Sequence, residues 1–264
     1  MTTASTSNIV ELTEVTDATD FMLHNQQVWQ HSSETWLNGE MSHLRDLPPI
    51  LLEKVEAICA TSLVLSIADF GCGEGWCQRA LHTYNPNLHY IGIDLNPRFV
   101  DHLSDNCISE NAKFICADYS SDSFNIDEEV DLSIISFSLF EVVDLKQAIA
   151  NIVKTTRLGG HIVVFTIDRI WQLIDISLSI QDLYNKTRLA YSGKSFYYNT
   201  TIRSEKWNEE ESYVTITHSV AQYINQFLSF GTQLIDCQEK LFNKDISGQP
   251  ICYSMLTFRK VSNI

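Results

Sequence analysis

SLVLSIADF, residues 62–70, is a short and nearly continuous apolar run, and it feeds directly into GCGEG, residues 71–75. A run of this length without alternation reads as a strand buried on both faces, the type found in parallel sheets. Three glycines at alternate positions follow it. Without a Cβ, each lets backbone N–H groups come close to a ligand. From Trp76 to Tyr84 the pattern turns helical, so the loop opens onto a helix N-terminus, which favours a negative group. Such a loop suits a pyrophosphate or a carboxylate.

The same rhythm repeats downstream. Leu88–Asp94 (LHYIGID) reads as a strand, Pro97–Ser109 as a helix and Ala112–Ala117 as a strand. Val130–Ser138 is a further strand, Asp144–Arg157 a helix, and His161–Ile167 a fifth strand. Strand–helix alternation of this kind specifies a parallel sheet covered on both sides. Upstream, residues 1–18 are Thr/Ser-rich and acidic and read as a loose arm. Asp20–Glu40 reads as a helix, and Asp46 before Pro48-Pro49 signals the start of a second.

After Asp168 the pattern changes. Ile170–Thr187 reads as helical. SFYYNTTIR and SYVTITH alternate on either side of SEKWNEEE, which predicts a hairpin or flap within Lys194–His218. Ser219–Phe230 is a helix stopped by Gly231. Leu234–Phe242 and Ile251–Lys260 are two strands whose short connection, Asn243–Pro250, predicts an antiparallel hairpin at the sheet edge. There is no internal repeat and no interdomain linker. The expected organisation is a flexible arm over 1–18 and one domain over 19–264. Within it, 19–60 are N-terminal helices forming a lid, 61–168 the ligand-binding core, 169–218 a substrate flap inserted after strand five, and 219–264 the C-terminal helix and strands.

Charge narrows the partners. Of 264 residues, 33 are acidic and 18 basic, a formal net charge of −15. Such a surface repels phosphate backbones and anionic lipid, so no nucleic-acid or membrane partner is expected. Seven cysteines, an odd number, lie scattered without a C-x-x-C pair. That is reduced usage, which together with the lack of a signal-type N-terminus points to a cytoplasmic location. No His, Cys or Asp group has metal spacing, so no metal is expected.

Spacing separates the ligand candidates. A dinucleotide fingerprint needs G-x-G-x-x-G, but the sixth place counted from Gly71 is Trp76, which argues against a nicotinamide dehydrogenase. No G-x-x-x-x-G-K-[ST] occurs. IADFGCGEG resembles motif I of the class I S-adenosylmethionine-dependent methyltransferases, and GIDLNP resembles their second motif. CADYSSDSF, VDLSIISFSLFEVVDL and TTRLGGHIVVF resemble the family's third-strand, fourth-strand and glycine-turn segments, so the likeness covers about residues 50–170. It implies a Rossmann-like doubly wound α/β fold: a seven-stranded, mostly parallel sheet with an antiparallel last strand. To this are added the N-terminal helical lid and the flap after strand five.

The resemblance also implies S-adenosyl-L-methionine as cofactor and a set of residues to hold it. Asp94 ends the second strand about 20 residues past the glycines, where a carboxylate meets a ribose diol. Leu95 is placed against the adenine face. Asp118 is placed at the adenine amino group, with the Tyr119 backbone beside it. Gly71 and Gly73 offer N–H groups to the methionine carboxylate, and Asp69 anchors the amino group directly or through water. Gly75 and Phe137 complete the set. Taken singly, each acid has a plain structural reading as turn, helix cap or loop residue.

The chain departs from the family pattern at two places. Phe140-Glu141 stands where the family often has Glu-His, and Leu158 where a Pro usually precedes the double glycine. Candidates for work on the methyl acceptor lie at the strand ends. Glu141, Asp168 and His218 are the candidate catalytic residues, with Arg169 nearby. Trp29, Trp36, Phe140, Trp171, Tyr197 and Tyr198 are the candidate acceptor contacts, since an aromatic cavity suits a planar or cationic molecule. Core packing and a hairpin pinned by aromatic pairs are the competing readings. The expected function is methyl transfer to a nitrogen or oxygen of a small acceptor. A protein methyltransferase acting on a basic partner and a non-catalytic cofactor-binding module are the alternatives.

Overall fold

The computed structural model describes residues 13–14, 26–27, 29–30, 33–34, 36–37, 48–167, 181, 196–202, 211–242 and 251–263. In chain order the strands are β1 (Thr13–Glu14), β2 (Ser66–Phe70), β3 (His89–Asp94), β4 (Ala112–Cys116), β5 (Val130–Ser136) and β6 (Thr156–Ile167). They continue as β7 (Phe196–Ile202), β8 (Glu211–Thr217), β9 (Thr232–Phe242) and β10 (Ile251–Lys260). The helices are α1 (Pro48–Thr61), α2 (Trp76–Tyr84), α3 (Pro97–Asn106), α4 (Leu145–Thr155) and α5 (Val220–Ser229).

Seven strands form the main sheet in the order β4-β3-β2-β5-β6-β10-β9. β2 through β6 are mutually parallel, and β10 runs antiparallel to both β6 and β9. The Rossmann-like architecture read from the sequence is therefore present. The C-terminal hairpin forms as expected, with the last strand inserted between β6 and β9 and β9 left at the edge. The strand order reverses between β2 and β5, and in such sheets ligands bind beyond the carboxyl ends at that crevice.

Both faces are covered. Leu51, Val55 and Leu81 of α1 and α2 pack against Ile67, Leu132, Ile134 and Val163. On the other face Ile149 and Ile152 of α4 and Tyr223 and Phe227 of α5 meet Ile135, Val164, Leu256 and Phe258. Three helices, α3, α4 and α5, start at side-chain caps: Asn96 before Pro97, Asp144 accepting from the Gln147 N–H, and a Ser219–Gln222 capping box. Each such cap contributes about 1 kcal/mol.

Several boundaries differ from the sequence reading. α3 stops at Asn106 because Cys107 is extended (φ −66°, ψ 129°). β6 starts at Thr156 and runs through the double glycine. A Cβ at Gly160 would fall 2.9 Å from the Asp131 carbonyl oxygen, which shows why no larger residue fits the parallel partner there. The segment read as a loose arm contributes a strand: Thr13 and Glu14 pair antiparallel with Tyr197 and Phe196. With β8 they make a separate three-stranded sheet, so the expected hairpin is present and gains a third strand. Among the described residues no helix is long and apolar enough to cross a membrane.

Candidate functional site

The carboxyl ends of β2, β3 and β4 each deliver an aspartate, and the glycine loop runs between the first two. Gly71, Gly73 and Gly75 all have positive φ (79°, 52° and 79°), which a residue with a Cβ adopts only at a cost. The three differ in surroundings. A Cβ at Gly71 would lie 2.4 Å from Ser138 Cβ, and one at Gly75 would lie 2.3 Å from Leu103 Cδ2. Those two glycines permit close packing. Gly73 has no atom within 4 Å of a built Cβ, so it faces open space. Of the three, Gly73 is the one that leaves room for a ligand.

The loop's N–H groups have partners within the chain. Gly71 N–H and Cys72 N–H both donate to the Ile93 carbonyl (2.7 and 3.0 Å), and Gly73 N–H donates to Asp94 Oδ2 (2.8 Å). The N–H groups of Gly71 and Gly73, which the resemblance assigned to a methionine carboxylate, are thus engaged within the loop itself. Register explains it: Asp69 lies beside Gly92 and Phe70 beside Ile93, so the loop turns back over the end of β3.

Asp69 is 2% exposed. Its Oδ2 accepts from the Tyr90 hydroxyl at 2.5 Å, and its Oδ1 is buried without a hydrogen-bond partner. Burial pushes its pKa up to about 7; the Tyr90 bond opposes that rise and the neighbouring Asp94 adds to it. The Cys77 thiol also faces this carboxylate. Burial, with the nearby carboxylates, raises Cys72 and Cys77 well above the ordinary thiol range, so neither is an activated nucleophile.

Asp94 is half-buried, and burial raises its pKa while the N–H groups of Asn96 and Gly73 oppose the rise. Its Oδ1 accepts from Asn96 N–H at 2.8 Å. The Asn96 side chain, itself buried, does two further things. Oδ1 caps α3 through the Arg98 N–H (3.0 Å), and Nδ2 donates to the Trp29 carbonyl (2.9 Å). Arg98 also approaches Glu34 at 3.4 Å. Trp29 and Trp36 lie with ring centroids 5.7 Å apart. The helical residues near Trp29 therefore dock on the start of α3, next to Asp94.

Leu95, at 37% exposure, presents an apolar face beside Asp94. Asp118 Oδ1 accepts from Ser120 N–H and Oγ–H (2.8 and 2.6 Å), which holds the carboxylate in a turn after β4. Tyr119 is buried: its ring meets Phe70 edge-on, its hydroxyl donates to Ser138 Oγ (3.1 Å), and its carbonyl accepts from Asn151 Nδ2 (3.0 Å). Ser138 Oγ in turn donates to the Phe70 carbonyl (2.6 Å), tying the end of β5 to the end of β2.

At the end of β5, Phe137 holds φ 54°, a strained conformation for an aromatic residue that tends to mark functional sites. Its ring sits 4.8 Å from Phe165 and 5.5 Å from Tyr253, centroid to centroid. Phe140 and Glu141 follow in a single 3₁₀ turn, Leu139–Glu141. His218 is 4% exposed; its Nε2–H donates to the Val142 carbonyl (3.0 Å), and its ring meets Tyr223 edge-on. It ties the end of β8 to the turn carrying Glu141. Tyr197 and Tyr198 lie on β7, described through its backbone. Asp168 and Trp171 lie outside the described residues.

Sequence reasoning did not single out Tyr90, Asn96, Ser138 or Asn151. Only Asn96 had a local signal, as the polar residue before Pro97 at a helix start.

Residues 67–160, from β2 to the double glycine of β6, match the family model of a methyltransferase domain. No curated protein sequence matches the chain. Among solved structures the chain resembles the N-methyltransferase NodS from Bradyrhizobium japonicum WM9, solved with S-adenosyl-L-homocysteine. Identity is 13%, 90% of this chain and 100% of that one are covered, and the TM-score is 0.59. An S-adenosylmethionine-dependent methyltransferase from Clostridium acetobutylicum shares 13% identity over 81% of this chain and 91% of that one, with a TM-score of 0.56. CalS10, an amino pentose methyltransferase from Micromonospora echinaspora, gives 13%, 81%, 90% and 0.51 in the same order. At such identities these are likenesses of fold. With the matched domain, they agree with the resemblance to the class I S-adenosylmethionine-dependent methyltransferases read from the sequence.

Proposed function

We propose that this chain binds S-adenosyl-L-methionine along the carboxyl edge of β2, β3 and β4 and moves its methyl group to a nitrogen or oxygen of a small acceptor. The observation that carries the reading is the order of three aspartates along that edge. Asp69 on β2, Asp94 on β3 and Asp118 after β4 follow one another across neighbouring strands, in the order read as tail, sugar and purine, and the glycine loop leaves open space at Gly73. The residues fit such a ligand. Asp69 Oδ1 is a buried acceptor without a partner, suited to an ammonium. Asp94 accepts only N–H bonds and has lone pairs left for a diol. Leu95 offers an apolar face to a base, and Asp118 Oδ2 lies beyond the Ser120 turn for its amino group.

When bound, the cofactor supplies an electrophilic methyl on a sulfonium, and attack by an acceptor lone pair leaves a neutral thioether and a methylated acceptor. The chain's part is to orient the reactants, and good positioning alone supplies about 7–11 kcal/mol of such a barrier. Glu141, in the turn after β5, takes the proton an amine or phenol sheds. His218 holds that turn to β8. Trp29 and Trp36, Phe140, and Tyr197 and Tyr198 on β7 border the acceptor space. Residues 19–60 act as a cover and 169–218 as the acceptor flap of a single domain. The docking of Trp29 on Asn96 supports that cover.

The net charge of −15 favours a small acceptor over nucleic acid. NodS and CalS10, an N-methyltransferase and an amino pentose methyltransferase by name, share the fold. The test is transfer of labelled methyl from the cofactor to a panel of amines, phenols and carboxylates. Label in a small product supports the reading. Label only in a basic protein band replaces the small acceptor with a protein. Tight S-adenosylhomocysteine binding without any transfer leaves a binding module.

A further inference from the structure

Tyr90 sits on β3 in register with Ile67, two residues before the level of Asp69, so its ring must lean along the strand to reach the carboxylate. Gly92 stands beside Asp69 in the same register. A Cβ there would lie 2.6 Å from Phe114 Cδ1 and 2.9 Å from Cys72 Sγ, so the space beside Asp69 is already filled by those two side chains. Tyr90 is 3% exposed, and its hydroxyl spends itself on Asp69 Oδ2 at 2.5 Å. The other oxygen, Oδ1, is as deeply buried and accepts no N–H or O–H; besides Tyr90, only the weak donor of the Cys77 thiol bears on the carboxylate. A buried carboxylate oxygen left unpaired beside a filled one is costly for a structural residue and useful for one that awaits a cation.

We propose that Tyr90 is a positioning residue for the cofactor's amino-acid tail: its hydroxyl holds Asp69 Oδ2 so that Oδ1 is aimed at the ligand's ammonium group. The inference rests on the cofactor reading given under Proposed function. It carries a proton with it. The ligand-free carboxyl titrates at about 7, and a bound ammonium favours the ionised form, so binding below that pH must expel a proton. The titratable groups facing the carboxyl are Tyr90 and Asp94 from β3, Cys72 from the loop and Cys77 from α2. Burial raises both thiols and the phenol well above their ordinary values, so they stay neutral here. Asp94 remains, and it faces the sugar.

The test measures dissociation constants by calorimetry for two ligands between about pH 6 and pH 8. S-adenosylhomocysteine carries the ammonium. 5′-Methylthioadenosine lacks the amino-acid tail but keeps the sugar and base, so it reports any titration of Asp94. The wild type is expected to bind S-adenosylhomocysteine about tenfold more weakly at pH 6 than at pH 8, beyond whatever methylthioadenosine shows. In Tyr90→Phe the affinity at pH 7 falls about tenfold and the falling limb moves up by about one pH unit, with methylthioadenosine unchanged. Asp69→Asn abolishes the extra pH dependence and keeps the fold testable should Tyr90→Phe unfold. A Tyr90→Phe profile superimposable on wild type overturns the proposal, as does an equal loss for both ligands, which would mark Tyr90 as merely structural. Wild-type protein that binds neither ligand defeats the cofactor reading itself.

Discussion

Replacing Asp69 by Asn removes an ionisable group from a site where the folded chain keeps it protonated far above its usual range. The carboxyl rises from 3.8 to about 7 on folding, because burial penalises its charge. Between those values the folded state binds a proton that the unfolded state has lost, so stability falls as pH rises through this window and levels off above it. That rise corresponds to about 4 kcal/mol at about 1.4 kcal/mol per pH unit. Asn keeps the Tyr90 bond, with its carbonyl oxygen as acceptor, but leaves its NH₂ without a partner where Oδ1 stood, at a cost of about 1–3 kcal/mol. In the ligand-free protein the variant should therefore be less stable than wild type near pH 4 and more stable by roughly 1–3 kcal/mol near pH 8. Urea unfolding of both proteins at matched pH gives the difference directly, since every other titrating group cancels. A difference that stays constant within about 0.5 kcal/mol across that range would refute the reasoning, and with it the charge-burial account of Asp69.

Asp94→Ala removes the acceptor for Gly73 and Asn96 as well as the proposed ribose contact; S-adenosylhomocysteine affinity measured by calorimetry should drop about 100-fold or more. Gly73→Ala should fold with a penalty of about 1 kcal/mol for its φ of 52° and lose cofactor affinity, because its methyl enters the open space. Gly71→Ala should lower stability by several times as much, since its Cβ would meet Ser138 Cβ at 2.4 Å. Glu141→Gln should lower turnover at least tenfold while leaving cofactor affinity within about twofold. His218→Ala strips the buried Val142 carbonyl of its donor and should cost about 1–3 kcal/mol in thermal or urea unfolding. Unaltered stability with lost turnover would place His218 in the chemistry instead.

What the sequence made legible was local. Apolar runs ending in glycine, Pro48-Pro49 after Asp46, and Gly231 at the end of a helix each depend on neighbours along the chain. Those features placed the strands and helices to within a few residues. The three aspartates were found because each lies at or just past the end of a strand, in a segment that resembles a motif of the family. What stayed hidden depends on register between strands. Tyr90 looks like one more aromatic on an apolar strand until β2 and β3 are aligned and its ring proves to lie diagonal to Asp69. The Gly71 and Gly73 N–H groups look free until the same alignment brings Ile93 and Asp94 beneath them. His218 reads as a solvated strand end because nothing nearby in sequence buries it; Val142 and Tyr223 do. Thr13 and Glu14 sit in a polar stretch without strand periodicity, and only the partner strand β7 makes them a strand.

The hydrogen bonds that hold the loop in the ligand-free chain do not compete with the proposed ligand at Asp94. An ionised carboxylate has about four lone-pair directions, and Gly73 and Asn96 each take one on different oxygens. One direction per oxygen is left, which is the demand of a vicinal diol. The same two bonds fix the carboxylate's rotation before any ligand arrives, so little side-chain entropy is lost on binding. Asn96 extends this frame outward, since the residue whose backbone N–H steadies Asp94 also grips the Trp29 carbonyl with its side-chain amide. A movement of the Trp29 segment must therefore break a part-buried side-chain bond two residues away from the sugar contact or carry Asn96 with it. Asn96→Ala separates the two, because it abolishes the Trp29 bond and the α3 cap but keeps the N–H on Asp94.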